Sequence, residues 1–312
     1  MSVCALNGHC PAHAACADAY GRPVKALQRA VGAALDSEVV AAAAVHGGDV
    51  AAAYRMDLAD GRRVFAKTHA EPPAGFFTTE AAGLRWLREP ATLSVPEVLA
   101  VSDGDGDTPA HLVLEWIDVG RSGPTTEPDL GRSFAELHRA GASCFGREDR
   151  RTTGSRGLPN EPCDTWPTFY ATQRMQPLAR LARDAGALPE RALAGLTRLD
   201  ADRLADLGGP PEPPARLHGD LWAGNRLVDR EGRSWLIDPA AHGGHREFDL
   251  AMMRLFGGFG AECHAAYDDV HPLAGGWADR VALHQIAPLV VHAIKFGGGY
   301  VAQAAGAIAR YA

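Results

Sequence analysis

The sequence predicts an α+β protein of two lobes: a small antiparallel β-sheet with one helix, then a larger, mainly helical lobe. Three observations carry this. Between Val39 and Ile117, short apolar segments alternate with glycine-bearing turns, the pattern of antiparallel strands. After Asp129, apolar residues recur at helical spacing over long stretches. Between the two patterns, Asp118–Pro128 is rich in Gly, Pro and Thr, as a lobe boundary is. The expected organisation is a flexible extension over residues 1–22, a nucleotide-binding first lobe over 23–117 and a catalytic and substrate-binding lobe over 118–312.

Composition narrows the class. A chain of 312 residues with 46% hydrophobic and 22% charged content has ample material for a core. The net charge of −7 argues against a general nucleic-acid binder. No apolar run spans a membrane and no secretory signal opens the chain, so a cytoplasmic protein is expected. Six cysteines in this length are not a disulfide scaffold. Lysine occurs only as Lys25, Lys67 and Lys295, which makes each one informative.

The first 22 residues hold Cys4, His9, Cys10, His13 and Cys16 in a spacing that matches no common zinc module, so a flexible extension is expected there. Val24–Leu35 has helical spacing, and Val39–Val45 and Val50–Leu58 read as strands joined through His46-Gly47-Gly48-Asp49. A glycine-bearing turn of this kind can lay backbone N–H groups over a polyphosphate, which makes Gly47 and Gly48 candidate nucleotide contacts. Asp60-Gly61 turns the chain into a third strand ending at Lys67. Alternation puts Phe65 and Lys67 on one face and Val64 and Ala66 on the other. An inward lysine needs an anionic partner, and Glu80, in the first turn of a helix capped by Thr78 or Thr79, supplies one. Such a pair holds an ammonium against nucleotide phosphates. Two more strands follow, Pro96–Val101 and His111–Ile117, around a solvated acidic loop at Asp103–Asp107. The backbone from Glu115 to Ile117 could pair with an adenine edge.

In the second lobe, Asp129–Ala140, Trp166–Ala185, Leu188–Leu207, Trp277–Val291 and His292–Ala309 read as helical. Residues 146–165 read as a mobile polar loop, and His138 as a packed or loop-bracing histidine. The most informative stretch is Leu217–Asp238, LHGDLWAGNRLVDREGRSWLID: a polar loop, a strand, a turn and a second strand. Folding back at Asp229–Arg233, with Gly232 at positive φ, brings Asp238 beside the Asp220–Asn225 loop. One carboxylate can then take the proton of an attacking hydroxyl, while an amide oxygen and a second carboxylate hold magnesium on phosphate oxygens. Past Asp238, Asp249 is placed to brace that loop through its backbone N–H groups, and Arg246 and Glu247 to face a substrate.

Three segments, GFFTTEAAGLRWL at 75–87, LHGDLWAGN at 217–225 and IDPAAHGGHREFDLAMMRLFGGF at 237–259, resemble the fructosamine (ketosamine) kinase family, within the aminoglycoside-phosphotransferase and protein-kinase-like group. The resemblance runs from about Val39 to Gly299. It implies a two-lobed protein-kinase-like fold, use of ATP with Mg2+, and phosphorylation of a sugar moiety attached to an amine, at the C3 hydroxyl of a ketosamine. It implies Asp220 as catalytic base, Asn225 and Asp238 as metal ligands, Lys67 and Glu80 as the phosphate-binding pair, His218 as support for the loop, and Trp222 as the ring against the substrate. His242 stands where the family commonly has tyrosine and Phe248 where it has a small residue, both beside the expected cleft. The expected partner is a small-molecule or protein-bound sugar-amine, and the expected state a monomer or weak dimer. Two other readings keep the same phosphate-handling residues: a kinase for an aminoglycoside or other small amino-alcohol, and an inactive nucleotide-binding module.

Overall fold

The computed structural model describes residues 17–45, 51–150, 152–153 and 157–312. They form an α+β chain that divides into two compact units. One takes in the described residues up to Thr78 together with Val98–Trp116; the other takes in Thr79–Glu97 and Ile117–Ala312. The Cys/His cluster at 4–16 and the Gly47-Gly48 turn lie outside the described residues.

The first unit opens with α1 (Ala17–Leu35), so helix begins inside the segment expected to be an extension. A five-stranded antiparallel sheet follows, built of β1 (Val39–Val45), β2 (Ala52–Leu58), β3 (Arg63–Thr68), β4 (Val98–Ser102) and β5 (His111–Glu115) in the order β1-β2-β3-β5-β4. Period-two alternation gives it one apolar face: Met56, Leu58, Val64, Ala66 and Val113 pack with Leu27 and Val31, one turn apart on α1. Lys67 therefore lies on the opposite face of β3, in register between Ala53 of β2 and Leu112 of β5.

The helix α2 (Phe76–Arg88) starts earlier than Thr78, because its cap comes from elsewhere. Asp103 Oδ1 accepts the N–H groups of Phe77 and Thr78 at 3.1 and 3.2 Å, and its Oδ2 accepts the Thr78 hydroxyl at 2.6 Å. One carboxylate thus satisfies orphan donors at the helix start. The first acid of the expected solvated loop is a cap, and Glu80 falls beyond the first turn.

The second unit runs through α3 (Thr126–Ala140), the two-residue strands β6 (Thr152–Thr153) and β7 (Leu158–Pro159), and a continuous helical stretch. That stretch is α4 (Trp166–Phe169), a π-helical Tyr170–Met175 and α5 (Gln176–Asp184). The expected single helix to Leu207 is split into α6 (Glu190–Arg198) and α7 (Ala201–Leu207), since the Asp200 carboxylate caps α7 by accepting Arg203 N–H at 2.9 Å. Four short strands follow, β8 (Ala215–Leu217), β9 (Arg226–Val228), β10 (Ser234–Leu236) and β11 (His242–Gly244), then α8 (Glu247–Phe256) and α9 (Ala261–Val270). The chain closes with α10 (Trp277–His284), α11 (Ile286–Phe296) and α12 (Gly299–Tyr311). The last break falls at Gly297-Gly298, both at positive φ, and not after Val291 as the periodicity suggests, so His292 lies within α11. The described part of the 146–165 loop is tied down: Arg147 makes two 2.7 Å bonds to Asp149 and lies 4.4 Å over the Trp86 ring. Helix α3 packs on α9 through Gly131, where a Cβ would meet the Cys263 carbonyl at 2.1 Å.

No helix among the described residues is long and apolar enough to cross a membrane.

Candidate active site

Two short ribbons of the second unit bring the motif residues together. Strand β8 pairs with β11, Leu217 opposite His242, and β9 pairs with β10, Leu227 opposite Trp235. Between β8 and β9 lie His218, Gly219, Asp220, Leu221, Trp222 and a single 3-10 turn, Ala223–Asn225. Between β10 and β11 lies Asp238. The β9–β10 turn is fixed by Asp229, whose Oδ1 accepts Glu231 and Arg233 N–H groups at 2.9 Å each, with Gly232 at φ 82°.

Asn225 joins the two loops. Its Nδ2 donates to the Asp220 carbonyl at 2.8 Å and the Asp220 carboxylate at 3.2 Å, and reaches the Asp238 carbonyl at 3.5 Å. Its nitrogen is used on these acceptors, so the side chain could offer only Oδ1 to a cation. The Ile237 N–H donates to the Asn225 carbonyl at 3.0 Å, which locks Asp238 next in line. Asp238 itself sits at φ 55°, one of three non-glycine residues with positive φ among those described. An aspartate held in the left-handed region costs about 1 kcal/mol or more, a strain that clusters at functional sites.

A buried acid holds the loop from below. Asp249, in the first turn of α8, accepts the His218 N–H at 2.7 Å and the Gly219 N–H at 2.9 Å, and His138 Nε2 lies 3.5 Å from it. Burial by itself would push its carboxyl up. The hydrogen bond and charge of His138 and the Gly219 N–H outweigh that and hold it below the usual range. His218 is neutral: burial lowers its pKa, and its Nε2 must donate to the Ile237 carbonyl at 2.9 Å, leaving Nδ1 to accept Asp220 N–H at 3.3 Å. Gly219 has φ 80° and no room for a side chain, since a Cβ would stand 2.2 Å from the Ala240 carbonyl.

Asp220 is pushed up to about 6, chiefly by burial; the Asn225 hydrogen bond acts against this, the Asp238 and Asp249 charges add to it, and Lys295 acts against it. The charge of Asp238 is thus felt at Asp220. A carboxyl near neutrality is well matched to taking a proton from a hydroxyl. Trp222, two positions on, is 41% exposed with its edge to Phe256 at 6.4 Å between ring centroids.

Three expected substrate contacts are instead internal braces. His242 is 3% exposed; its Nδ1 donates to the Ala240 carbonyl at 2.9 Å, and its ring stacks on Phe169 and meets Phe248 edge-on. Burial and the Arg174 charge push its pKa down to about 3, so it is neutral. The Arg246 guanidinium is consumed by Glu212 at 2.7 and 2.8 Å and by the carbonyls of His271 and Pro272. Glu247 is 1% exposed and takes two hydrogen bonds from Arg280, the Nε bond at 2.9 Å. A buried ion needs such a partner, so these charges are used up within the fold.

Of the remaining candidates, Glu80 belongs to the same unit as Asp220, and α2 approaches the chain just after Asp238, Gly83 lying where a Cβ would touch Ala241 Cβ at 3.2 Å. Lys67 and Glu115 belong to the first unit, and Ile117 belongs to the second. His138, read as a packed or loop-bracing histidine, lies against Asp249, whereas Glu212 and Arg280 were not expected here and carried no signal in the chain.

An HGD loop, an asparagine five residues on and an aspartate returning on a hairpin define a phosphotransferase that acts on an alcohol group. A profile of the fructosamine kinase family matches residues 23–312. The chain is 35% identical over 251 residues to a protein of Synechocystis described as a probable ketoamine kinase, which covers 79% of this chain and 82% of that one. The crystal structure of a Thermobifida fusca protein described as a presumed fructosamine-3-kinase matches with a TM-score of 0.83 at 39% identity, covering 91% of this chain and 97% of that one. Aminoglycoside phosphotransferase APH(4)-Ia shares the fold, with a TM-score of 0.56 at 19% identity over 92% of this chain and 96% of that one. The protein belongs to the fructosamine kinase family. It has the kinase-like fold and is a phosphotransferase acting on an alcohol group.

Proposed function

We propose that the protein transfers the γ-phosphoryl group of ATP to a ring or chain hydroxyl of a ketosamine, of fructosamine or ribulosamine type, with Asp220 as base. The observation that carries this reading is the Asn225 amide, which ties the Asp220 carboxylate to the backbone of Asp238. Asp220 orients the acceptor hydroxyl and takes its proton as the oxygen attacks phosphorus, and ADP leaves with the electron pair of the broken bond. Asn225 Oδ1 and the Asp238 carboxylate are hard oxygen donors of the kind magnesium prefers, so a divalent cation fits here. Such an ion, when bound, neutralises phosphate charge. The N–H groups of His218 and Gly219, anchored on Asp249, keep the base from drifting. The roles of Lys67 and Glu80 toward the phosphates rest on the family resemblance, and those of Gly47 and Gly48 over the phosphates and of the Glu115–Ile117 backbone toward adenine on the turn and strand pattern of the sequence. Transfer to the C3 hydroxyl, after which the adduct falls apart and frees the amine, rests on the family resemblance also.

Trp222 is the proposed platform for the sugar-derived part of the acceptor. An aminoglycoside or other small amino-alcohol as acceptor would use the same phosphate machinery. The test is ATP turnover on a panel of small ribulosamines, fructosamines, aminoglycosides and choline, with phosphorus NMR of the product. Turnover confined to ketosamines is expected, and Trp222→Ala raises KM for them about tenfold or more while KM for ATP holds, the cost of one stacking ring. Turnover on aminoglycosides alone would overturn the acceptor assignment.

A further inference from the structure

The proposed transfer gives no task to the last turn of α2, yet the second unit grips it firmly. From Thr79 onward α2 belongs to the same unit as the catalytic loop. Two guanidinium groups lie over the half-buried Trp86 ring, Arg147 at 4.4 Å and Arg216 at 4.8 Å from its centroid. Neither is a loose surface cation. Arg147 is buried and fixed by its two bonds to Asp149. Arg216 donates to the Trp86 carbonyl at 2.6 Å, to Glu89 at 2.7 Å and to the Gly141 carbonyl at 2.9 Å. Arg216 lies in β8, two residues before His218, so the end of α2 is fastened to the strand that leads into the catalytic loop. One turn earlier, α2 bears on the chain after Asp238. A Cβ at Gly83 would stand 3.2 Å from Ala241 Cβ and 3.5 Å from Pro239 Cγ. That segment is pinned at its ends, by Ile237 N–H on the Asn225 carbonyl at 3.0 Å and by Ala240 N–H on the His218 carbonyl at 2.9 Å. Asp238 sits between the pins at φ 55°.

We infer that Trp86 is a positioning residue for metal binding: gripped by Arg147 and Arg216, it seats α2 on Pro239 and Ala241 and so holds Asp238 in its left-handed conformation. The inference rests on the reading of Asp238 as a magnesium ligand and deepens it. The physical chain is short. A left-handed aspartate relaxes unless its surroundings over-determine it. The two backbone bonds fix where the segment starts and ends, and the face of α2 around Gly83 is the packed wall it rests against. The absence of a side chain at Gly83 lets the helix backbone come this close. Trp86, three residues on, sets how firmly that wall stands, because the guanidinium groups over its ring are themselves immobilised by other bonds. Glu80 lies one turn before Gly83 on the same face, so the grip that seats Gly83 also sets the place of Glu80.

The experiment measures Mn2+ affinity in the presence of ADP by electron paramagnetic resonance, beside the magnesium requirement, acceptor KM and melting temperature of the full chain. Trp86→Leu is expected to weaken Mn2+ binding about tenfold, as loss of a ligand-orienting contact does, and to raise the magnesium requirement in parallel while acceptor KM holds. Trp86→Phe keeps a ring under the guanidinium groups and stays within about twofold of wild type. Gly83→Ala separates position from stability: alanine favours the helix, but its methyl presses on Ala241 and Pro239. It is expected to weaken Mn2+ binding several-fold while melting near wild type. Leu193→Ala, in the helical core, lowers the melting temperature and leaves Mn2+ affinity unchanged. Unchanged Mn2+ affinity in either Trp86→Leu or Gly83→Ala overturns the inference, and a loss of equal size in Leu193→Ala does so by making the effect one of general stability. Trp86→Phe no better than Trp86→Leu overturns the grip by the guanidinium groups. A raised acceptor KM with Mn2+ affinity preserved overturns it as well, by assigning α2 to the acceptor. If wild type binds no Mn2+ with ADP, the reading of Asp238 as a ligand itself fails and the inference with it.

Discussion

Asp220→Asn lowers kcat by about two to four orders of magnitude, the usual contribution of a positioned base, and it does so without loss of stability. The amide keeps the volume of the carboxyl, and the bond from Asn225 to the Asp220 carbonyl, at 2.8 Å, does not involve the replaced group. What disappears is the proton acceptor. The carboxyl is raised to about 6 because burial and the Asp238 and Asp249 charges disfavour its ionised form, so at neutral pH the native protein holds a charge it would be more stable without. Removing it relieves that cost, and a melting temperature equal to or above wild type is expected, as at sites where activity opposes stability. KM for ATP changes little, because the metal-facing oxygens are elsewhere. Steady-state kinetics beside thermal melts measures both effects. Wild-type turnover in this variant would remove Asp220 from its role, and a collapse in melting temperature would make it structural.

Arg280→Met lowers stability by about 3–5 kcal/mol, the cost of leaving a buried carboxylate without its partner. Glu247 is 1% exposed, and the two bonds from Arg280 are directed at its two oxygens. Burial works to raise its pKa, but His284, Arg280 and His245 outweigh it and hold the group at about 2. The sign follows directly: the folded-state pKa is depressed below the ordinary 4.5, so the stabilisation is fully present above pH 4.5 and fades as pH falls toward 2. The expected melting temperature is lower by on the order of 10 °C near neutrality, and the gap to wild type narrows in acid. Glu247→Gln tests the same site from the other side, with a smaller loss because the amide can still accept from Arg280. In both variants the acceptor KM of the folded fraction is unchanged. A variant that melts as wild type but loses acceptor affinity would return Glu247 to the substrate.

The contrast between these two acids marks what the sequence could reveal. Asp220, Asn225 and Asp238 were legible because the chain between them is short and turns on itself: Asp229 closes the turn through bonds no more than six residues away. Alternation placed Lys67 away from Val64 and Ala66 for the same local reason. Asp249's contact with the loop was legible because it follows the loop in the first turn of a helix, although the N–H groups it accepts are 30 and 31 residues back. Arg246 and Glu247, its neighbours, looked equally functional. Their partners, Glu212 and Arg280, lie 34 and 33 residues off in opposite directions and form no pattern with them in the chain. Asp103 was misplaced in the same way, since nothing near it announces the helix 25 residues earlier that it caps. Helix breaks at Leu199-Asp200 and Gln285 were hidden because apolar periodicity continues across them, and only the cap and backbone geometry interrupt it.

The proposed transfer requires Asp220 and Asp238 to serve one phosphoryl group from opposite loops tied by Asn225. The most direct test is the magnesium dependence of ketosamine phosphorylation in Asp238→Asn beside Asp220→Asn. The expected result is a half-saturating magnesium concentration raised at least about tenfold in Asp238→Asn, as loss of a charged ligand demands, with the magnesium requirement of Asp220→Asn residual turnover unchanged. Wild-type magnesium dependence and turnover in Asp238→Asn would contradict it.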